Sequence, residues 1–240
     1  MKWSEAFRVK FHETDANEVA SVSQTFKYIQ EAALCQVNSQ HPSYHELLEE
    51  NKAFVLSAIR LEMYSSIFAN DDIIARSWVS PSRGVNFIRS YEIERNGEIL
   101  CEATSIWALV STRDRRLYTV EDIDSSAYCM DEPVHTERPA RVRIPSAIPM
   151  ALVGEYVVQY SDIDMNGHMN NTNYPRVICN HVPNIEKLRV KSIGIYFANE
   201  AVIDETLKIY MGRVDNRIYF RTVRSDGKTN IESELIVEEI

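Results

Sequence analysis

Hydrophobic positions recur along this chain with two different periods. From Trp3 to Phe11 they alternate, with Phe7, Val9 and Phe11 on one face, which predicts a half-buried strand. A polar loop runs from His12 to Ser21. Phe26, Ile29, Ala33 and Val37 then repeat at helical spacing, with Ser23 placed to cap the helix. Beyond His41-Pro42 come four β-rich runs, at residues 53 to 68, 73 to 80, 85 to 95 and 98 to 111. The last two are joined by Asn96-Gly97, a tight-hairpin signal. From Thr112 to Met150 the periodicity stops, and Pro133, Pro139, Pro145 and Pro149 stand among many charges, which predicts connecting chain.

The same order then returns: a strand from Leu152 to Tyr160, a polar loop, a helix and four β-rich runs, the last two joined by Asp226-Gly227. Asp15 and Asn17 precede Asp164 and Asn166 by 149 residues, Asp71 aligns with Asp204 at 133, and Gly97 with Gly227 at 130. The fall of 16 places an insertion around Val37 to Lys52. The pattern predicts an α+β architecture of two antiparallel sheets, each wrapped on a central helix, side by side in one continuous sheet that closes the exposed edges. The expected domains are residues 1–130 and 151–240, with a linker at 131–150.

Composition narrows the function classes. Over 240 residues, 45% hydrophobic and 25% charged side chains describe a globular protein with material for two modest cores. No stretch approaches the roughly 20 apolar residues of a bilayer span, and the opening segment alternates where a secretory leader would be apolar. A cytoplasmic location without membrane attachment is the expectation. The net charge of −9 argues against nucleic acid as a partner. Two local basic runs, Arg113, Arg115 and Arg116, then Arg138, Arg141 and Arg143, read as solvated loop charge or as a docking patch for an acidic partner. Cys35, Cys101, Cys129 and Cys179 are too scattered for a zinc site or a disulfide framework and read as free thiols.

The candidate chemistry lies in the second loop, Tyr160 to Asn171, where Asp162, Asp164, Asn166, His168 and Asn170 crowd the start of a helix. Asp and Asn suit turns and caps, and for Asp162 and Asn171 that reading is preferred. The repeat singles out His168: the first copy keeps Asp15 and Asn17 but has Val19 at that place. The same alignment sets Glu200 against Ile67, so an acid stands where the first copy is apolar. An imidazole with a carboxylate is what activation of water needs, and the helix start offers amides to a developing oxyanion. Glu200 as a solvated turn residue is the equal alternative. His168 and His181 are separated by most of a helix, so no metal site is expected.

The motif Asp164-x-Asn166-x-His168-x-Asn170-Asn171, with Tyr174 after it and Asn199-Glu200-Ala201-Val202-Ile203-Asp204 further on, resembles the second-repeat motifs of acyl-acyl-carrier-protein thioesterases. Phe11-His12-Glu13-Thr14-Asp15 is similar to the opening of the bacterial members. The resemblance covers essentially the whole chain. It implies a tandem double hot-dog fold and hydrolysis of fatty acyl-acyl-carrier-protein to free fatty acid and carrier protein. Asp164, Asn166, His168 and Glu200 would form the catalytic set, with no cofactor and no metal. Glu200 and His168 would bind and deprotonate water, Asp164 orient His168, Asn166 position water or thioester, and Asn170 and Asn171 meet the substrate. Plant members carry a cysteine after the glutamate, and Ala201 here closes a covalent thiol route at that site. Cys179 reads as a packed side chain. An acyl pocket is implied beside the first helix, with Phe26, Ile29 and Trp107, and further Glu31, Ala33 and Leu56, as lining or core. A coenzyme A thioester as substrate, a non-catalytic acyl-binding module and a homodimer stay open. A dehydratase of the same fold would place its His and acid differently.

Overall fold

Trp3, Glu5 and Phe7 point inward from the first strand, β1 (Trp3–Arg8), and Val9 beyond it is buried, but Phe11, expected on the same face, is exposed because Phe11–Glu13 winds into a 3-10 turn. The computed structural model describes residues 2–240 and divides into two units, Met1–Ala20 with Gln24–Pro139 and Ser21–Ser23 with Ala140–Ile240. After β1 the first unit contains α1 (Val22–Asn38) from Gln24 onward, α2 (Tyr44–Glu49), β2 (Lys52–Met63), β3 (Asp72–Arg83), β4 (Asn86–Arg95), β5 (Glu98–Ser111) and the short β6 (Leu117–Tyr118). Its strands run antiparallel in the order β1-β3-β4-β5-β2, with β6 on β5. Phe26, Ile29, Ala32 and Ala33 form the buried stripe of α1. Tyr28 of that helix meets Phe7 with ring centroids 5.1 Å apart.

Two local expectations are corrected here, and the expected insertion acquires a structure. Ser23 is the second residue of α1, so it does not cap it. The insertion after α1 folds its own helix, α2, because Ser43 and Glu46 bond each other's amides in a capping box. The first part of the expected connector is ordered on the first unit: Trp78 Nε1 donates to Glu132 O at 2.8 Å and Asp131 N to Val79 O at 3.1 Å.

The second unit holds β7 (Ala151–Val157), α3 (Tyr174–Cys179), β8 (Leu188–Phe197), β9 (Thr206–Val214), β10 (Arg217–Val223) and β11 (Thr229–Glu239), in the order β8-β11-β10-β9-β7. Read strand for strand, that is the order of the first unit. β7 ends before the predicted Tyr160, because Tyr160–Asp162 winds into a 3-10 turn. α3 has 6 residues against the 17 of α1. Asn180, Pro183 and a left-handed Asn184 stop it, yet Tyr174, Val177 and Ile178 still seal the core. Among the described residues no helix is long and apolar enough to cross a membrane.

The hydrogen bonds correct the internal alignment. Val9 N donates to Asp71 O, and Val158 N to Glu205 O; Asn70 N returns to Val9 O, and Asp204 N to Val158 O; Ala20 N reaches Ile67 O, and Met169 N reaches Ala201 O. The β1 and loop positions correspond at 149 residues, as read from sequence, but the turn before β3 corresponds to that before β9 at 134. Asn70 and Asp204 share the left-handed conformation, at φ 68° and 64°. Asp71 pairs with Glu205 and Ile67 with Ala201, so the counterpart of Glu200 is Ser66. Two aspartates one position out of register had suggested 133.

Candidate active site

The loop between β7 and α3 hangs on Asp162, which is buried. Its carboxylate accepts from Tyr156 Oη at 2.5 Å, Gln159 N at 2.9 Å and Arg176 Nη2 at 2.6 Å, and its carbonyl accepts from Asn170 N at 2.8 Å and Asn173 Nδ2 at 3.2 Å. A residue read as an ordinary turn former is thus the anchor of the loop. Glu13 holds the same place in the first unit, accepting from Lys10 N and Tyr28 Oη.

From that anchor the chain makes a tight excursion. Asp164 Oδ1 accepts from Asn166 N at 2.8 Å, Gly167 N donates to Asp164 O at 3.0 Å, and Asp164 N donates to His168 O at 2.9 Å. Gly167 takes φ 79°, where a side chain would be strained. The first loop repeats the device: Asp15 Oδ1 accepts from Asn17 N at 2.8 Å, and Asp15 N donates to Val19 O at 2.8 Å. The Asp-x-Asn element therefore shapes the loop in both copies, and Asp164 reaches His168 through main chain. His168 itself is what the second copy adds.

Across from the loop, His168 Nε2 lies 3.2 Å from Glu200 Oε2, with both side chains about one-third exposed, at 32% and 34%. The contact is supported from both sides. Met169 N donates to Ala201 O at 2.8 Å, stitching the residues next to the pair. Arg224 donates from Nη1 to Glu200 O at 3.1 Å and from Nε to the buried Glu205 at 2.9 Å. Behind Asn199 lies Asn230, whose side chain bonds Tyr174 and the Asn199 carbonyl. Neither Arg224 nor Asn230 was singled out from sequence, although subtraction across the repeat would have flagged the second.

The other predicted residues divide. Asn170 spends its Oδ1 on Thr172 N and Thr172 Oγ1, each at 2.9 Å, capping the 3-10 turn Asn171–Asn173. Of the four amides from Asn170 to Asn173, three donate within the loop, and among the described residues no acceptor is found for that of Asn171. Phe26 and Ile29 are buried in α1, and Trp107 is half-buried with Nε1 donating to Ser105 Oγ at 2.7 Å. Glu31 points outward. His181 turns its Nδ1 to Val177 O at 2.8 Å, while a Cβ at Gly154 would lie 2.7 Å from its Nε2, so this imidazole fills the space a glycine leaves beside β7. Desolvation pushes the Cys179 thiol up to about 12 and the Cys101 thiol likewise to about 12.

The two like-folded units each match a family model. Residues 1–127 match the model of the acyl-ACP thioesterase N-terminal domain, and residues 147–236 that of the C-terminal domain. The chain belongs to the acyl-ACP thioesterase family. Among curated members it is 24% identical over 218 residues to a chloroplastic palmitoyl-acyl carrier protein thioesterase of Arabidopsis thaliana, covering 84% of this chain and 53% of the relative. With a chloroplastic dodecanoyl-[acyl-carrier-protein] hydrolase of Umbellularia californica it shares 23% over 224 residues, 84% of this chain and 57% of the relative. The chain spans about half the length of these curated relatives. An acyl-ACP thioesterase from Bacteroides thetaiotaomicron superposes with a TM-score of 0.90 at 20% identity, covering 99% of this chain and 98% of the other. For the 12:0-ACP thioesterase of Umbellularia californica the TM-score is 0.84 at 18% identity, with 100% and 98% covered. These likenesses identify the fold as the tandem hot-dog of the family.

Proposed function

We propose that this chain hydrolyses the thioester of fatty acyl groups borne on acyl carrier protein, releasing free fatty acid and the carrier thiol at the end of fatty acid synthesis. The observation that carries the reading is the 3.2 Å contact of His168 with Glu200, present in one unit of a chain of this family. Water held by the pair attacks the carbonyl carbon as its proton passes to them. The carbonyl opens to an oxyanion, for which the unspent Asn171 N–H is the available donor. The carbonyl re-forms, the carbon–sulfur bond breaks, and sulfur leaves with the proton returned by the pair. Asp164 holds His168 through the loop backbone, and Asn166 meets water or thioester.

Direct attack by water fits the thiols. Ala201 has no sulfur, and Cys179 is held protonated near neutral pH by desolvation. The acyl chain is assigned to the first unit beside α1, with Trp107 at its lining and Phe26 and Ile29 as the packed wall behind. The exposed Arg113, Arg116, Arg138 and Arg143 suit an acidic carrier protein. A cytoplasmic site of action is part of the same proposal and is supported by four free cysteines, which suit a reducing compartment.

The test is release of free thiol from acyl-carrier-protein substrates of graded chain length. His168→Ala and Glu200→Ala should each lower kcat on the order of 100-fold or more, the usual worth of a general base, without unfolding the chain. Turnover confined to coenzyme A thioesters would replace the carrier. Silence on both would leave an acyl-binding module.

A further inference from the structure

The two units make the same backbone with different interiors behind the Glu200 turn. In the first, Leu100 O accepts from Tyr64 N at 2.8 Å and Ser65 N at 3.1 Å; in the second, Asn230 O accepts from Ala198 N at 2.9 Å and Asn199 N at 3.1 Å. Leu100 and Asn230 are thus equivalent, and both are fully buried. The partner strands agree. The β4–β5 register slips after Ile93, and the β10–β11 register slips after Thr222, which makes Ile93 the counterpart of Thr222. Where one unit buries Ile93 and Leu100, the other buries Thr222 and Asn230.

Asn230 is bonded on every side. Its Nδ2 donates to Tyr174 Oη at 3.0 Å and to Asn199 O at 2.5 Å, and its Oδ1 accepts from Thr222 Oγ1 at 2.8 Å. Asn199 Nδ2 in turn donates to Thr229 O at 2.7 Å. The first unit forms the same two main-chain bonds, to within 0.1 Å, without any of this, so the fold does not require a buried amide here. A buried polar network costs desolvation that an apolar pair avoids, while a fully satisfied one fixes geometry. The extra bond falls on the carbonyl of the peptide that joins Asn199 to Glu200. It therefore restrains the rotation of that peptide, which aims the Glu200 side chain.

We propose that Asn230, held by Tyr174 and Thr222, is a positioning residue that sets the Glu200 carboxylate against His168. The inference rests on the reading that this pair is the reacting pair. The first unit, with an apolar interior and Ser66 in place of Glu200, has no carboxylate to aim.

The test replaces Asn230 by the residue the first unit uses. Asn230→Leu, Asn230→Leu with Thr222→Ile, and Tyr174→Phe are compared with wild type and Glu200→Gln for melting temperature, for kcat and KM on acyl-carrier-protein substrates, and for the His168 imidazole ¹⁵N shifts. Expected for the two Asn230 variants are a melting temperature equal to or above wild type and a loss of kcat on the order of 10- to 100-fold, as for a misplaced reacting group, with KM little changed. Their His168 Nε2 resonance should move toward its position in Glu200→Gln, with Tyr174→Phe smaller in the same direction. A folded Asn230→Leu protein with wild-type kcat and an unmoved His168 resonance overturns the proposal. So does activity that falls only in step with melting temperature across the three variants. If the wild type turns over no thioester, the hydrolase reading fails separately, and the imidazole shift alone decides: movement upholds the positioning role and constancy ends it.

Discussion

Glu18 and Gly167 hold the same place in the two loops, and both are left-handed, at φ 59° and 79°. The loop form comes from Asp15 and Asp164, whose side chains take the amide two residues on, and it tolerates either residue at some cost in strain. At the next position the copies part, Val19 in one and His168 in the other. The acid follows the same logic once the register is right. Ser66 is half-exposed and its carbonyl accepts from Arg95 Nη1, as the Glu200 carbonyl does from Arg224, whereas Ile67 is 0% exposed. Ser66→Glu should therefore change stability by no more than about 0.5 kcal/mol, as surface replacements do. Ile67→Glu, which buries an unpaired carboxyl, should cost about 4 kcal/mol or prevent folding. Urea unfolding of the two variants measures the difference, and equal effects would return the register to 133.

Among the elements, α2 is, with the short β6, a part of the first unit that the second lacks, and its start rests on a capping box. Ser43 N donates to Glu46 Oε2 at 2.6 Å, and Glu46 N to Ser43 Oγ at 3.3 Å. The Ser43 amide first, and then the His41 side chain, hold the Glu46 carboxyl down at about 2, below its usual 4.5. A carboxyl whose folded value is depressed stabilises above the unfolded value and loses that contribution as pH falls through the folded one. Glu46→Gln should thus melt below wild type at pH 7, with the gap closing between about pH 4.5 and about pH 2. A gap that stays constant over that range, followed by circular dichroism, would remove the carboxylate from the account. A further difference is α3, which keeps only the turns needed to seal Tyr174, Val177 and Ile178 and leaves the loop before it to carry His168.

For the molecule as a whole, one architecture was made twice, and the contact of an imidazole with a carboxylate proposed as the reacting pair belongs to the second copy. The proposed mechanism calls on an imidazole, an acid and a polar interior behind the acid, and the first unit has Val19, Ser66 and Leu100 at those places. Grafting Val19→His and Ser66→Glu into a His168→Ala protein should therefore restore no measurable thiol release, even where the imidazole and carboxylate meet. Recovered turnover would mean that the pair alone suffices. The thiols give a second reading at this scale. With Cys101 and Cys179 pushed up to about 12, alkylation by iodoacetamide near neutral pH should leave hydrolysis intact, and inactivation that tracks modification of Cys179 would speak for a covalent route.

Local pattern alone determined a good deal of this protein: the strands and their hairpins, the long α1, the doubled plan, and His168 as the residue added to one of two equal loops. These follow from periods of 2 and 3.6 and from turn chemistry, which are properties of neighbours in the chain. The motifs also carried the family. What only the tertiary structure decided involves partners far apart in sequence. The alignment of Glu200 slipped by one because nothing in the turn before β9 marks register except hydrogen bonds made with Val158, just past β7, and with the loop. Asp162 looked like a turn former because its burial comes from Tyr156 and Arg176 closing over it. Asn230 was present as a mismatch with Leu100 at the spacing of the hairpin glycines, but its meaning depends on Tyr174, 56 residues away. Burying an amide is tolerable only where its bonds are satisfied, and only the folded chain brings those partners to it.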